Sequence, residues 1–239
     1  MGRSSSATLC AVVVAVGCTV VAGKPIEPHP HTGILKQYDR RHPSKYGVTL
    51  KGITEAQLRS GTPALKLIPQ ANGFKRTIGI QDIEAPPDVV FGRICDWPNY
   101  HRMIKDVKRC EVYRRGWTLS GCRVACAKYE IAVPMTKLDF YVEHVYDPLN
   151  HAMSFSLDYT RKSDVADQVG YWYCEKLAGG WTRLYYSTDF QIPRWVPPFA
   201  KGFILKLAAK SSVTWVAVET AREMEKRRGA SLFRRWFPQ

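Results

Sequence analysis

The 239-residue sequence has no short motif of the kind that marks a catalytic chemistry. It has no nucleophile elbow, no phosphate-binding glycine loop, no HExxH zinc motif and no motif of paired carboxylates. It also has no CxxC pair and no pair of histidines that would complete a zinc site. The sequence therefore predicts no metal and no cofactor, and it does not indicate any of the enzyme classes that these motifs mark.

Acidic residues are also few. The chain has 21 Asp and Glu against 35 Lys and Arg, which gives a formal net charge of +14 at pH 7. A charge of this size favours anionic partners, either membrane headgroups or nucleic acid, although simple solubility is an alternative explanation. The hydrophobic content of 45% is enough for one good-sized domain with extensions.

The first 23 residues have the pattern of a signal peptide. Arg3 supplies a positive start, the segment Ser4–Gly23 carries no charge, and its centre at Leu9–Val21 is apolar. Small residues around Ala22 offer a cleavage site, so we expect a secreted or lumenal protein. An uncleaved membrane anchor is the alternative, and routing to an organelle such as a secondary plastid is also open. Ser6 fits a myristoylation motif, but the apolar run favours secretion.

The number and positions of the cysteines do not decide whether one disulfide forms. Two of the seven cysteines, Cys10 and Cys18, lie in the predicted signal peptide, so an odd number remains. Cys110 and Cys126 could face each other across a hairpin whose turn lies near Gly116. Buried free thiols explain the same residues equally well.

Residues 24–73 are predicted to form an N-terminal extension. Its first half, 24–50, is rich in proline, histidine and basic residues and has no hydrophobic period. Thr54 then opens a capping-box pattern, which predicts one short helix that stops at Gly61. The domain proper is expected to cover 74–225.

That domain begins with one strand followed by two short helices. The segment Arg76–Ala85 alternates as a strand does, and Pro87 stands at the start of a helical pattern. The segment Asp96–Tyr100 breaks this first helix, and a second short helix follows as far as Ile104. Alternating residues over 107–113, 122–133, 138–147 and 153–159 then predict antiparallel strands with one buried face.

Two further aromatic-rich strands form a hairpin around Gly179-Gly180, and one long helix follows. From Phe199 the apolar period becomes helical, and Phe203, Leu207 and Trp215 lie on one stripe. This helix is predicted to pack along the stripe to about Met224. The order of elements predicts an α+β fold with the helices on one face of an antiparallel sheet.

This arrangement resembles the START-like, helix-grip superfamily, also called SRPBCC, and within it the polyketide cyclase/dehydrase and coenzyme-Q-binding-type families. The resemblance covers roughly 74–225 and implies a curved sheet of about six to seven strands, with two short helices after the first strand and a long C-terminal helix over the sheet. It is carried by Ile83–Pro86, Asp96–Tyr100, Gly170–Trp172, Thr182–Ser187 and Pro193–Phe199.

The resemblance implies a cavity between the sheet and the long helix. Such cavities hold lipids, quinones, sterols or polyketides; some members catalyse cyclisation or hydrolysis, and many only bind and carry. His144 is a weak candidate for a general base there, since a core histidine bonded to the backbone is the simpler interpretation. The predicted ligand-binding residues are Phe140, His144, Phe155, Tyr171, Tyr173, Tyr185, Phe203, Leu207 and Trp215.

Residues 226–239 form a predicted basic and aromatic tail. Alternating arginine and aromatic side chains suit an anionic membrane surface. Nucleic acid could use the same residue types, but the signal peptide makes this less expected, and a frayed, solvated helix end is the plain alternative. The predicted membrane contacts are Arg227, Arg228, Phe233, Arg234, Arg235, Trp236 and Phe237.

The sequence thus favours a protein that binds a lipid, quinone or isoprenoid, with transport as an extension of binding, and that touches membranes peripherally. The alternative is a polyketide cyclase/dehydrase-type enzyme that acts on a bound apolar substrate through His144. A third hypothesis is an interaction protein whose cavity is filled by its own side chains.

Overall fold

The computed structural model describes residues 26–30, 52–69, 75–133, 136–191 and 213–236. Eight antiparallel strands form one sheet in the order β1-β2-β8-β7-β6-β5-β4-β3. In chain order the elements are α1 Glu55–Arg59, β1 Ala64–Pro69, β2 Lys75–Ile83, α2 Pro87–Ile94, α3 Tyr100–Met103, β3 Val107–Trp117, β4 Arg123–Val133, β5 Thr136–Asp147, β6 Ala152–Leu157, β7 Asp167–Lys176, β8 Thr182–Gln191 and α4 Thr214–Trp236.

Local signals in the sequence set several of these boundaries. The Thr54 hydroxyl accepts a hydrogen bond from the backbone N–H of Gln57 at 3.1 Å and so caps α1. Pro87 begins α2, where its missing N–H costs no helical hydrogen bond. Gly179 and Gly180 turn the β7–β8 hairpin with φ of 73° and 78°, a region that favours glycine.

We call the face of the sheet that carries α2 and α4 the inner face, and the opposite one the outer face. Apolar side chains of α2 such as Val90 and Ile94, and Val216 of α4, are buried against this inner face. The strand residues that share this core alternate along each strand, as the period of two requires. They include Ala125, Ala127, Tyr129, Leu138, Phe140, Val142, Tyr146, Met153, Phe155, Leu157, Trp172, Cys174, Leu184 and Tyr186.

Helix α4 runs antiparallel to the α2–α3 segment. Near its start, the ring of Trp215 lies 5.2 Å from that of Tyr100 in α3. Further along, the Glu223 carboxylate lies 3.9 Å from the guanidinium of Arg93 in α2. Because α2 follows directly on β2, the C-terminal part of α4 lies at the end of the sheet where β2 finishes.

That end of the sheet also holds three hairpin turns, and we call it the turn end. Strand pairing sets Arg123, which follows the β3–β4 turn, opposite Tyr146, which precedes the β5–β6 turn. The β7–β8 turn lies at the same end, since Thr182 pairs with both Lys176 and Ile83, the last residues of β7 and β2.

The predicted α+β fold is confirmed, with two differences in extent. The sheet has eight strands because β1, from the predicted N-terminal extension, pairs with β2 at its edge. Helix α4 continues to Trp236, through most of the segment predicted as a tail. Phe203 and Leu207, the early part of the predicted helical stripe, lie outside the described residues.

The β3–β4 hairpin turns later than predicted, and this separates two cysteines. The residues expected to form the turn, 114–116, belong to β3, and the chain reverses over 118–121, where Gly121 has a φ of 81°. Cys110 therefore pairs with Tyr129 and faces the inner core, whereas Cys126 lies on the outer face near the Glu143 carboxylate. Both thiols are free and buried, so of the two alternatives that the sequence left open the structure has the free thiols.

An ion-pair cluster fastens α1 to the sheet. Arg183 of β8 donates two hydrogen bonds to Asp82 of β2, at 2.8 and 3.0 Å. The same guanidinium donates two more to Glu55 of α1, at 2.9 and 2.5 Å. Arg59 adds a second cation 3.4 Å from the fully buried Asp82 carboxylate. The extension and the domain thus share one charge network.

Candidate functional site

Aromatic side chains fill much of the inner face. The rings of Trp97 and His144 lie 4.9 Å apart, and those of Trp172 and Tyr186 lie 4.2 Å apart. Phe155 packs directly over Gly170, where a β-carbon would lie 2.2 Å from its ring. Phe140, His144 and Phe155, three of the predicted ligand-binding residues, therefore lie on the inner face and pack in this buried cluster.

His144 is held by hydrogen bonds at both ring nitrogens. Its Nδ1 lies 3.0 Å from the carbonyl oxygen of Ala125, which only accepts, so Nδ1 carries the proton and donates. Its Nε2 lies 3.0 Å from the hydroxyl of Tyr129 and accepts from it. Burial lowers the pKa of His144 to about 4 and raises the pKa of Tyr129 well above its ordinary value.

This geometry describes a neutral, oriented core histidine. To act as a general base, Nε2 would have to give up the bond from Tyr129, because its lone pair is already used. The residue matches the simpler of the two interpretations that the sequence left open.

The three predicted ligand-binding tyrosines of the β7–β8 hairpin do not lie on the inner face of the sheet. Tyr171, Tyr173 and Tyr185 lie in a separate cluster on the outer face, and the inner positions belong to Trp172 and Tyr186. The sequence predicts the alternation of these strands correctly but not its phase, because every residue from Tyr171 to Tyr173 is aromatic and the composition gives no direction.

Trp215, the last predicted ligand-binding residue within the described part of the chain, joins α4 to the aromatic cluster. Its ring makes edge contacts with Tyr100, at 5.2 Å, and with Trp172, at 6.4 Å. It is partly buried and lies where α4 begins to pass over the inner face.

A groove of about 340 Å³ lies beneath the middle of α4, residues 217–228, at the turn end. We call it the α4 groove. Its volume falls in the range of small-molecule sites, roughly 300–1,000 Å³. The lining residues come from α1, the end of β2, the β7–β8 turn and α4: Arg59, Ser60, Gly61, Gln81, Asp82, Ile83, Glu84, Trp181, Ala217, Thr220, Ala221, Met224, Glu225 and Arg228.

The wall of the α4 groove combines apolar surface with two unsatisfied polar atoms. Ile83, Ala217 and Met224 belong to the inner-face core or pack against it. Gln81 donates through Nε2 to the carbonyl of Gly61 at 3.0 Å, while its Oε1 is buried without a hydrogen-bond partner in the described part of the chain. The buried hydroxyl of Thr220 is likewise unpartnered there. Such groups are costly in a protein interior unless something bonds to them.

The rim of the α4 groove is charged. The guanidinium of Arg59 lies 4.6 Å over the ring of Trp181 and also faces Asp82 at 3.4 Å. Glu225 and Arg228 line the opposite side on α4, and both are exposed. An apolar floor with a charged, solvated rim suits a molecule with one apolar part and one polar part.

The sequence did not predict this groove. On α4 its residues Ala217, Thr220, Ala221, Met224 and Arg228 recur at helical spacing, so periodicity would have identified the face. The remaining wall comes from α1 and from the end of β2, and no pattern in the sequence indicates that α1 packs there.

The predicted membrane contacts lie at the end of α4. Arg227 and Arg228 are exposed, and Arg227 forms an ion pair with Glu223 at 2.9 Å. The helical backbone continues through Phe233, Arg234, Arg235 and Trp236, whose side chains are outside the description, as is Phe237 altogether. Across the described residues, no helix combines the length and the apolar character needed to cross a membrane.

Solved structures share the fold at low identity. A protein of Thermus thermophilus superimposes with a TM-score of 0.52 and 17% identity, covering 62% of this chain and 98% of its own. The Zhui aromatase/cyclase from Streptomyces sp. R1128 gives a TM-score of 0.53 and 16% identity, covering 62% of this chain and 94% of its own. At this identity the two likenesses show the fold alone. A comparison with curated proteins found no match.

A family model gives the more specific result. The model described as polyketide cyclase / dehydrase and lipid transport matches residues 75–226, from the first residue of β2 into the second half of α4. This span holds the strand–helix–sheet–helix order on which the resemblance was based, and it covers more than half of the sequence. The chain belongs to the polyketide cyclase/dehydrase and lipid transport family.

Proposed function

We propose that this protein binds a hydrophobic small molecule, such as a lipid, quinone or isoprenoid, in the α4 groove and carries it. The observation that carries the proposal is a groove of about 340 Å³ that combines an apolar wall with a charged rim. Membership of a family described by lipid transport supports it.

The charged rim defines what the head of the ligand meets. Arg59 and Arg228 line the groove, and their guanidinium groups can donate hydrogen bonds to a carboxylate, carbonyl or hydroxyl oxygen of the ligand. The apolar part of the ligand would lie against Ile83, Ala217 and Met224, where burial is favourable by roughly 25 cal/mol per Å².

Peripheral membrane contact is the second part of the proposal. The exposed Arg227 and Arg228 lie in the second half of α4, and Arg228 also lines the groove. Each arginine near an anionic surface contributes about 1 kcal/mol of attraction. We propose that this end of α4 meets the membrane, with the protein having entered the secretory route through its first 23 residues.

The cyclase/dehydrase alternative relies on His144 as a base. Because both of its ring nitrogens already have hydrogen-bond partners, binding and carriage is the function that the geometry supports best.

Filling the α4 groove should weaken ligand binding without unfolding the protein. Ala221 lines the groove and is exposed, so Ala221→Trp is expected to occupy the ligand volume at little cost in stability. Binding of a fluorescent fatty acid, measured by titration, should weaken at least about tenfold because the ligand loses its apolar contacts.

Val218→Trp is the matched control, since Val218 is an exposed α4 residue that does not line the groove. It should bind the fatty acid as the wild type does. Equal binding by the Ala221→Trp variant would place the ligand elsewhere and contradict the proposed site.

A further inference from the structure

Two of the hairpins at the turn end present large apolar side chains to solvent. In the β3–β4 hairpin, Trp117 is 69% exposed and Leu119 is fully exposed. In the β5–β6 turn, Leu149 is 89% exposed. A single exposed leucine needs no explanation, but three such residues at the tips of neighbouring hairpins form a patch.

Both turns are held in fixed shapes by their own hydrogen bonds. The backbone N–H of Thr118 donates to the carbonyl of Cys122 at 2.8 Å, and the N–H of Cys122 donates to the Thr118 hydroxyl at 3.0 Å. In the other turn, the Asp147 carboxylate accepts from the N–H groups of Leu149 and Asn150, at 2.9 and 3.3 Å. The exposed leucines therefore lie in turns whose conformation is fixed by hydrogen bonds.

The register of the sheet places the tips of the two hairpins at a similar distance beyond the ends of the strands. Arg123 of β4 pairs with Tyr146 of β5, and Leu119 and Leu149 lie a similar number of residues beyond this pair. The two hairpins are separated by two strand spacings, which is about 10 Å. A flat apolar layer can therefore receive both leucines and Trp117 at the same time.

Basic groups surround this patch. Arg115 and Arg123 are exposed beside the tip of the β3–β4 hairpin, and the Arg123 guanidinium lies 5.4 Å from the centre of the Trp117 ring. The neighbouring turn carries one acidic group, Asp147, whose carboxylate accepts hydrogen bonds from Leu149 and Asn150 within the turn. Arg228, in the second half of α4, lies at the same end of the sheet.

We propose that the turn end is a docking surface for an anionic lipid bilayer. Leu119 and Leu149 insert into the acyl boundary, Trp117 lies at the interface, and Arg115 and Arg123 meet the headgroups. This rests on the proposed function, because the α4 groove lies at the same end and would then face the membrane from which a ligand is taken. The positive charge beside the apolar tips selects an anionic surface over a neutral one.

Vesicle sedimentation tests this surface. The chain from residue 24 onward, without the predicted signal peptide, is mixed with phosphatidylcholine vesicles with and without phosphatidylserine. The wild type should bind the anionic vesicles, and the double variant Leu119→Ser/Leu149→Ser should bind at least about tenfold more weakly, since each leucine loses its burial. Leu67→Ser is the matched control, because Leu67 is exposed in β1, away from the turn end, and it should bind as the wild type does.

Each contrary outcome has a distinct meaning. Unchanged vesicle binding by the double variant, together with loss in Arg227→Glu/Arg228→Glu, overturns this surface and leaves membrane contact with α4. No vesicle binding by the wild type overturns membrane contact altogether, while fatty-acid titration tests the groove separately. If the double variant instead weakens binding to a single-stranded oligonucleotide and not to vesicles, the surface belongs to nucleic acid and the inference is wrong.

Discussion

Replacing Arg183 with methionine is expected to lower the free energy of unfolding by about 3–5 kcal/mol, the usual cost of removing one partner of a buried ion pair. The side chain of Asp82 is fully buried, and Arg183 supplies two of its hydrogen bonds. Without this guanidinium, the buried carboxylate is left with the more distant Arg59, at 3.4 Å, among the described residues. Urea denaturation followed by tryptophan fluorescence measures the change.

Glu55→Gln is the matched control for the same cluster. Glu55 also bonds to Arg183, but its side chain is 68% exposed, so its loss should cost about 1 kcal/mol or less. If both variants lose similar stability, or if Arg183→Met is neutral, then Asp82 is not an uncompensated buried charge and the assigned role of this cluster is wrong.

Stability is expected to fall by about 3 kcal/mol as the pH is lowered from 6.5 to 4, owing to His144 alone. Burial lowers the pKa of His144 to about 4 in the folded protein, whereas an exposed histidine in the unfolded chain titrates near 6.5. Within this window the unfolded state binds more protons than the folded one. The contribution of the neutral histidine is therefore complete above pH 6.5 and is lost as the pH falls through 4.

His144→Gln isolates this effect. Glutamine can donate to the carbonyl of Ala125 and accept from Tyr129, as His144 does, but it does not titrate. The difference in unfolding free energy between wild type and variant, measured in urea at a series of pH values, should change between pH 4 and 6.5. A constant difference would mean that His144 is not held neutral by burial.

The central strands could be predicted from the sequence because one face of each strand carries polar, solvent-facing residues. In β5, Leu138, Phe140 and Val142 alternate with polar residues, and all three lie on the inner face. The same logic failed for the phase of β7, where Tyr171 and Trp172 are both buried, one on each face of the sheet. Alternation assigns a face only where one set of residues is polar.

The edge of the sheet was harder to predict, because β1 alternates only weakly. Leu65 and Leu67 of β1 are exposed apolar residues, so its pattern does not resemble that of a strand with one wet face. The position of α1 depends on distant contacts, which include the packing of Leu58 against β2 and the bonds between Glu55 and Arg183, 128 positions apart in the chain. No local signal in the sequence reports a contact of that separation.

The α4 groove was missed for the same reason. Gln81 and Thr220, which line it, are ordinary residues in a strand and a helix pattern, and the groove forms only because α1 supplies part of its wall. What the sequence did predict is a domain that binds a hydrophobic ligand, which membership of the polyketide cyclase/dehydrase and lipid transport family supports. The position of the ligand beneath the last helix stays a prediction.

The most direct test of the ligand site is extraction of the purified protein with organic solvent, followed by mass spectrometry of the extract. Wild-type protein should release an apolar molecule in a constant ratio to protein. The Ala221→Trp variant should release little, and the Val218→Trp variant should release the wild-type amount. Extracts that are empty for the wild type, or identical for all three proteins, would contradict binding in the α4 groove.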